Sequence, residues 1–113
     1  MRLAKHIQAI LVVLFLAGVA CGPSTNTNSG ESVYQMYCVS CHGTDGKGNR
    51  GYAADFVNDK ERMSKSDEEL LNSIRDGFRG TMGQMPRWKN KLSEKEIISV
   101  LKYIRETFGK SVE

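Results

Sequence analysis

Histidine and cysteine are scarce in this chain, with two and three copies among 113 residues. His6 and Cys21 both lie in an N-terminal segment that differs in composition from the rest. Only Cys38, Cys41 and His42 are left beyond it, and a structural zinc site needs four such ligands. A thioredoxin-like redox pair would need a βαβ pattern around the two cysteines, which the sequence does not show. A zinc site and a thioredoxin-like redox pair are therefore both disfavoured as explanations of Cys38 and Cys41.

The chain also lacks an apolar run of the roughly 20 residues that a membrane-spanning helix needs. Its longest run, Ile7 to Ala20, is short and is interrupted by Gln8. Because basic residues precede this run and small residues end it, residues 1–20 are predicted to be a secretory signal. An uncleaved membrane anchor is the alternative.

Cys21 follows Gly18, Val19 and Ala20, and this junction resembles a bacterial lipoprotein cleavage box, in which the new N-terminal cysteine is acylated. Such boxes usually carry leucine where this chain has Gly18, so a plainly cleaved signal stays open. The stretch GPSTNTNSG that follows is small and polar. Residues 21–30 are accordingly predicted to be a flexible tether between a lipid anchor and a folded domain.

An excess of charge of either sign is absent as well. Without residues 1–20 the chain holds 14 basic against 13 acidic side chains. A nucleic-acid-binding domain would be strongly basic, with basic and aromatic residues interleaved. The sequence has neither property, and nucleic acid is excluded as a partner.

Residues 31–113 are predicted to form one domain, which is small for a self-sufficient hydrophobic core and needs a staple such as a bound cofactor. The periodicity is helical, and no apolar and polar alternation is long enough to predict a sheet. A first helix should run from Glu31 or Ser32 to the Cys38–Cys41 region, with Val33, Met36 and Tyr37 on one face. Two capping boxes, in which a serine is followed three residues later by a glutamate, start two further helices. The first box is Ser66 with Glu69, and Gly77 is expected to end its helix. The second box is Ser93 with Glu96, and Gly109 is expected to end that helix.

The sequence Cys38-Val39-Ser40-Cys41-His42 is the attachment pattern of c-type haem. On a helical turn, thiols three residues apart lie on one side, where each can add to a different vinyl group of the haem. The following imidazole then reaches the iron. Cys38 and Cys41 are thus predicted to hold one haem c covalently, and His42 is predicted to be an iron ligand.

The sixth iron position needs another ligand or stays open. A second histidine is excluded, because His42 is the only histidine left once residues 1–20 are removed. Methionine is the obvious ligand, since its soft thioether stabilises ferrous iron. The candidates are Met36, Met63, Met82 and Met85. Met36 and Met63 are predicted to fill the core.

The stretches GESVYQMYCVSCHGTDGKGNRG and IRDGFRGTMGQMPRWKNKLSEKEIISVLKYI resemble the two signature regions of bacterial class I cytochromes c with one haem. The resemblance implies an all-α fold, with three main helices and long loops wrapped around the haem. It implies Met85, which precedes Pro86, as the second axial ligand. It also implies that the first and last helices cross near Gly30 and Tyr103.

Two further residues are matched to haem contacts by the same resemblance. Ala54 stands where the family often has a proline whose carbonyl accepts the proximal histidine's Nδ1 proton; a carbonyl survives this change, but the fixed φ of proline does not. Trp88 resembles an aromatic residue that packs near the haem edge and hydrogen-bonds a propionate in relatives. Plain core packing is the alternative for Trp88.

Ligation by His42 and Met85 would leave the iron without a position for substrate, so the predicted function is outer-sphere electron transfer in an exported redox chain, without enzymatic activity of its own. Two alternatives remain: an electron-transfer subunit of a larger dehydrogenase or reductase, and a haem-based sensor. Five basic residues near the proposed ligand loop form a predicted docking patch for an acidic redox partner, or an ordinary solvated surface. They are Arg75, Arg79, Arg87, Lys89 and Lys91.

Overall fold

The computed structural model describes Gly18 and residues 28–49, 52–80 and 83–109. The predicted signal apart from Gly18, the lipid-anchor residue Cys21, and Met82 lie outside this part of the chain. No helix within it is both long enough and apolar enough to cross a bilayer.

The first helix delivers both cysteines and His42, as predicted, but it is not uniform. It consists of α1 (Gly30–Val33), a π-helical turn (Tyr34–Cys38) and α2 (Val39–His42). Its start at Gly30 is fixed by Ser29, whose hydroxyl accepts a hydrogen bond from the Ser32 amide. A π-helical turn holds one residue more than an α-helical turn, so it changes which side chains face the core on either side of it.

The prediction for Met36 is wrong. Val33, Tyr34 and Cys38 are buried, whereas the Met36 side chain is 59% exposed and cannot be a core filler. The prediction placed Met36 on one face with Val33 and Tyr37. The buried face instead holds Val33, Tyr34 and Cys38 with the partly buried Tyr37, and Met36 lies outside it. Met63, in contrast, packs against the core as predicted.

Both predicted capping boxes are present. Helix α4 (Asp67–Asp76) begins with the Ser66 and Glu69 pair, and Gly77, at φ 73°, ends it. Helix α5 (Glu94–Thr107) begins with the Ser93 and Glu96 pair. The buried stripe of α5 continues to Phe108, the residue after its last turn; it consists of Ile97, Val100, Leu101, Ile104 and Phe108.

A short helix, a 3-10 turn and a two-stranded hairpin were not predicted. Helix α3 (Lys60–Met63) and a 3-10 turn (Trp88–Asn90) lie in the long connections. Strands β1 (Phe78–Gly80) and β2 (Gly83–Met85) form an antiparallel hairpin in which Phe78 pairs with Met85. Three-residue strands are too short to show a periodic pattern, which is why the sequence predicted no sheet.

The crossing of the first and last helices lies where it was predicted. A side chain at Gly30 would meet the Ser99 carbonyl and the Tyr103 Cβ of α5. Beside this crossing the fully buried Tyr34 ring packs against the rings of Tyr103 and Phe108, with centroids 5.4 Å and 5.3 Å away. The crossing therefore joins the helix that carries the cysteines to the largest buried stripe of the molecule.

Candidate functional site

The tautomer of His42 is determined by its hydrogen bond. Its Nδ1 lies 3.2 Å from the Ala54 carbonyl oxygen. A carbonyl only accepts, so Nδ1 must carry the proton and Nε2 must keep a free lone pair. Burial is the main cause that lowers the pKa of this imidazole; the bond to Ala54 opposes the lowering, and the charge of Arg62 adds to it. His42 therefore has a fixed orientation, and its Nε2 lone pair is available to a metal.

Phe56 holds the same imidazole from its face. The two rings stack with centroids 4.4 Å apart and planes 19° from parallel. Phe56 was not predicted as a site residue, because no motif or periodicity in the sequence links it to His42. With Nδ1 bonded to Ala54, this stacking leaves the ring little freedom to turn.

The backbone around His42 is also constrained. The Tyr34 hydroxyl donates to the Gly43 carbonyl oxygen at 2.6 Å, and the Gly48 amide donates to the His42 carbonyl oxygen at 2.8 Å. Gly43 has φ 80°, a conformation that glycine adopts without the steric cost of a side chain. The chain thus turns sharply after the imidazole and is bonded on both sides of the turn.

The two cysteines differ in environment. Cys38 is buried and Cys41 is exposed. Burial, with a smaller contribution from Cys41, raises the pKa of the Cys38 thiol to about 11. Redox-active cysteine pairs instead have a lowered pKa. No group of three or more metal-binding side chains occurs among the residues described. The thioredoxin-like alternative loses support.

One cavity, of about 490 Å³, brings the predicted site residues together. This volume lies within the range of about 300–1,000 Å³ that is usual for cofactor pockets. Most of the lining side chains are apolar, as a macrocycle with an extended ring surface requires. The predicted residues that line it are Cys38, Cys41, His42, Ala54, Met85 and Trp88.

Met85 reaches the cavity from the end of β2. Gly77 lies so close that a side chain there would collide with the Met85 carbonyl, so the strand is packed against the end of α4. Pro86 restricts Met85 to an extended conformation, which its place in the strand also requires. Met63 lines the same cavity. The cavity alone thus leaves Met63 and Met85 as thioether candidates in the described part of the chain.

Trp88 lies in the cavity wall and is only partly buried. Its ring centroid is 5.5 Å from that of Tyr37. No residue that the structure describes accepts a hydrogen bond from its indole N–H. The ring thus packs against Tyr37 and also lines the cavity, so its position agrees with both a haem contact and plain packing.

The predicted basic patch is smaller than its sequence suggested. Arg75 forms ion pairs with Glu68 and Glu94, which are distant in sequence, and Lys89 pairs with Asp76 at 2.7 Å. The stretch of sequence from Arg75 to Lys91 contains only one of these three acids, Asp76. The unpaired cations that remain in the described part of the patch are Arg79, Arg87 and Lys91, and the Lys91 ammonium lies 5.4 Å from the Tyr37 ring centroid.

The family model described as cytochrome C oxidase, cbb3-type, subunit III, matches residues 25–104. Among curated proteins, the chain is 32% identical over 94 residues to the cbb3-type cytochrome c oxidase subunit FixP of Bradyrhizobium diazoefficiens, covering 83% of this chain and 32% of FixP. It is 28% identical over 95 residues to the fructose dehydrogenase cytochrome subunit of Gluconobacter japonicus, covering 75% of this chain and 20% of that subunit. The chain spans about a third or less of the length of these relatives.

Two solved structures have the same fold. The KustC0563 c-type cytochrome superposes with a TM-score of 0.59 at 25% identity and covers 70% of this chain and 96% of its own. The c-type cytochrome XoxG from Methylobacterium extorquens AM1 superposes with a TM-score of 0.52 at 25% identity, covering 74% of this chain and 51% of its own. The predicted helical fold with long loops is confirmed.

Proposed function

Because this chain belongs to the cytochrome c family that the cbb3-type oxidase subunit III model describes, we propose that Cys38 and Cys41 attach its haem c and that His42 and Met85 are the axial iron ligands. The observation that carries the assignment is one cavity lined by all four side chains. Met63 lines it as well, and the Met85–Pro86 pair, which matches the ligand position of the family, favours Met85. The free Nε2 of His42, set by the bond from Nδ1 to Ala54, supports it further.

The protein transfers electrons and carries a covalently bound haem c. When bound, this group supplies an iron that alternates between the ferric and ferrous states. His42 would donate a neutral nitrogen to the iron, and Met85 would donate a thioether that favours the ferrous state. With both side chains bound, the iron would have no position for a substrate, so the chain would act as an electron carrier, and a sensor is disfavoured.

The attachment is tested by replacing the cysteines. We expect the Cys38→Ser, Cys41→Ser double variant to contain no covalent haem, because neither thiol of the attachment pattern remains to form a thioether. The measurement is the intact mass of the polypeptide after denaturation, with a pyridine haemochrome spectrum of the same sample. Ser40→Ala, which changes the same turn without removing a thiol, is the control and should keep the full haem mass. Covalent haem in the double variant would contradict the assignment.

A second function, as the electron-transfer subunit of a larger complex, is supported by the relatives' names, which describe subunits of an oxidase and of a dehydrogenase. We extend this to the present chain as a proposal. An affinity-tagged form purified from its own cells under mild conditions should then bring a haem-containing or flavin-containing protein with it in constant ratio. A carrier that diffuses freely would purify alone.

We further propose that Arg79 and Arg87 attract an anionic redox partner. The exposed aromatic residues Tyr52 and Phe78 line the mouth of the cavity, and Phe78 immediately precedes Arg79 in β1. Unpaired charges beside an apolar surface accelerate encounter without requiring a tight complex.

The docking proposal predicts a rate that depends on salt. Oxidation by ferricyanide, an anionic one-electron oxidant, should slow by roughly tenfold as ionic strength rises, because screening weakens the attraction. In the Arg79→Gln, Arg87→Gln variant most of this dependence should disappear. Lys60→Gln with Lys95→Gln removes the same net charge from exposed residues outside the basic patch, and should keep the salt dependence. Equal behaviour of the two double variants would contradict the proposal.

The remaining proposal concerns the N-terminal segment. An extracytoplasmic location with a lipid on Cys21 and residues 21–30 as a tether is supported by the sequence of residues 1–30. The wild type should then fractionate with membranes, and Cys21→Ser should become soluble with no lipid in its intact mass. A freely soluble wild type would contradict lipid attachment and leave the haem assignment unaffected.

A further inference from the structure

Besides the neutral His42, two ionic side chains line the cavity in the described part of the chain, and both are cationic. They are Arg62, in α3, and Lys65, three residues later. No acidic side chain is among the described residues that line the cavity with them. Both cations are exposed, so they remain charged at the rim of a largely apolar cavity. This wall is therefore suited to a ligand that presents negative charge to it.

Both cations have donors to spare. Arg62 binds the Asp59 carboxylate through Nε at 3.1 Å, which leaves its two terminal nitrogens for another acceptor. Lys65 forms no ion pair within the part of the chain that the structure describes. The charge of Lys65 lowers the pKa of Glu69, but hydrogen bonds from Ser66 lower that pKa more. The Glu69 carboxylate is committed to the capping box of α4.

Arg105 holds the segment that carries these cations. This residue of α5 donates from Nη1 to the Met63 carbonyl oxygen and from Nη2 to the Lys65 carbonyl oxygen, each at 2.7 Å. Its Nε bonds to the Asp67 carboxylate, also at 2.7 Å. One guanidinium thus joins the end of α3 and the start of α4 to the last helix. The backbone beneath both cations is fixed before any ligand binds, which reduces the entropic cost of binding.

We propose that Arg62 and Lys65 bind the two propionate carboxylates of haem c. The macrocycle carries two carboxylates on one edge, and the two cations match them in number and sign. Arg62 offers a planar pair of N–H donors and Lys65 a compact charge. The inference rests on the proposed attachment of haem c in this cavity. It assigns the orientation of the group, with its acidic edge toward the junction of α3 and α4.

The two cations should keep the propionates ionised. A carboxylate beside a positive charge has a pKa lowered by about one to three units. The other charged groups at this wall are Asp59, which pairs with Arg62, and Glu69, Asp67 and Arg105, whose bonds are given above. His42 is neutral and bonded to Ala54. Among all the charged groups at this wall, Arg62 and Lys65 are the two that combine a positive charge with free donors at the cavity.

The test is the pH dependence of the reduction potential, which reports ionisable groups close enough to the iron to feel its charge. In the Arg62→Gln, Lys65→Gln variant, the pH at which the potential changes should rise by about one to three units relative to the wild type. Arg62→Lys alone should stay close to the wild type, since it keeps the charge. Both side chains are exposed, so the fold should tolerate these changes.

Lys60→Gln with Lys95→Gln is the matched control, because it removes the same net charge away from the cavity; the wild-type pH dependence should be kept. The proposal is overturned if the cavity variant titrates like the wild type, or if both double variants shift equally. Covalent haem is measured on each sample by intact mass. A wild type without covalent haem would refute the proposed attachment, whereas full haem with unshifted titration refutes only the propionate site.

Discussion

Replacing Met85 with leucine is expected to abolish the absorption band of thioether-to-iron ligation and to lower the reduction potential. Leucine keeps the volume of the side chain, so the fold should lose less than about 1.5 kcal/mol. What it removes is the sulfur, and with it the ligand that favours ferrous iron. The measurement is the near-infrared and visible spectrum of the ferric protein, followed by a potentiometric titration.

Met63→Leu is the matched control for this change, because Met63 lines the same cavity and also loses its sulfur. We expect it to keep both the absorption band and the potential. Met82→Leu, at a residue outside the described structure, should behave as Met63→Leu does. If the band disappears in either control and persists in Met85→Leu, the sixth ligand has been assigned to the wrong methionine.

Replacing Gly30 with alanine is expected to destabilise the fold by about 3 kcal/mol, the upper end of the usual cost of overpacking. The added methyl group would collide with the backbone carbonyl of Ser99 and with the Cβ of Tyr103. Neither atom is the end of a flexible side chain, so the two helices would have to separate. Denaturant unfolding of the haem-loaded protein, followed by circular dichroism, measures the loss.

Glu31→Ala is the control for Gly30→Ala. Glu31 is the next residue of α1, and its side chain is exposed. Its removal forfeits only the favourable placement of an acid in the first helical turn, about 0.3–1 kcal/mol. An unfolding free energy that changes equally in both variants would show that the close approach at Gly30 does not hold the helices together.

Local chemistry explains what the sequence predicted well. The haem pattern at residues 38–42 and the capping boxes at Ser66 and Ser93 depend on residues within four positions of one another. Such signals are complete in a short window. The prediction for the Gly30 and Tyr103 crossing came from resemblance to a family, because no local rule links residues so far apart.

What the sequence missed is nonlocal or too short to be periodic. The stacking of Phe56 on His42, and the contact of Arg62 and Lys65 with the cavity, arise only when the connections fold back on the helices. Arg105 bonds to residues about forty positions earlier, and no spacing rule reports such contacts. The paired acids of the basic patch were missed for the same reason. The hairpin consists of strands of three residues.

The π-helical turn at Tyr34–Cys38 sets the rotational phase between two halves of one helix. Upstream, Val33 and Tyr34 must face α5; downstream, the cysteines and His42 must face the cavity. An α-helix advances by about 100° per residue, so deleting one residue within the turn would rotate the attachment motif by that angle relative to the core. Length changes are usually tolerated in loops. Within this turn, a single-residue deletion would let the helix fold but would leave His42 and the cysteines in the wrong direction relative to the cavity.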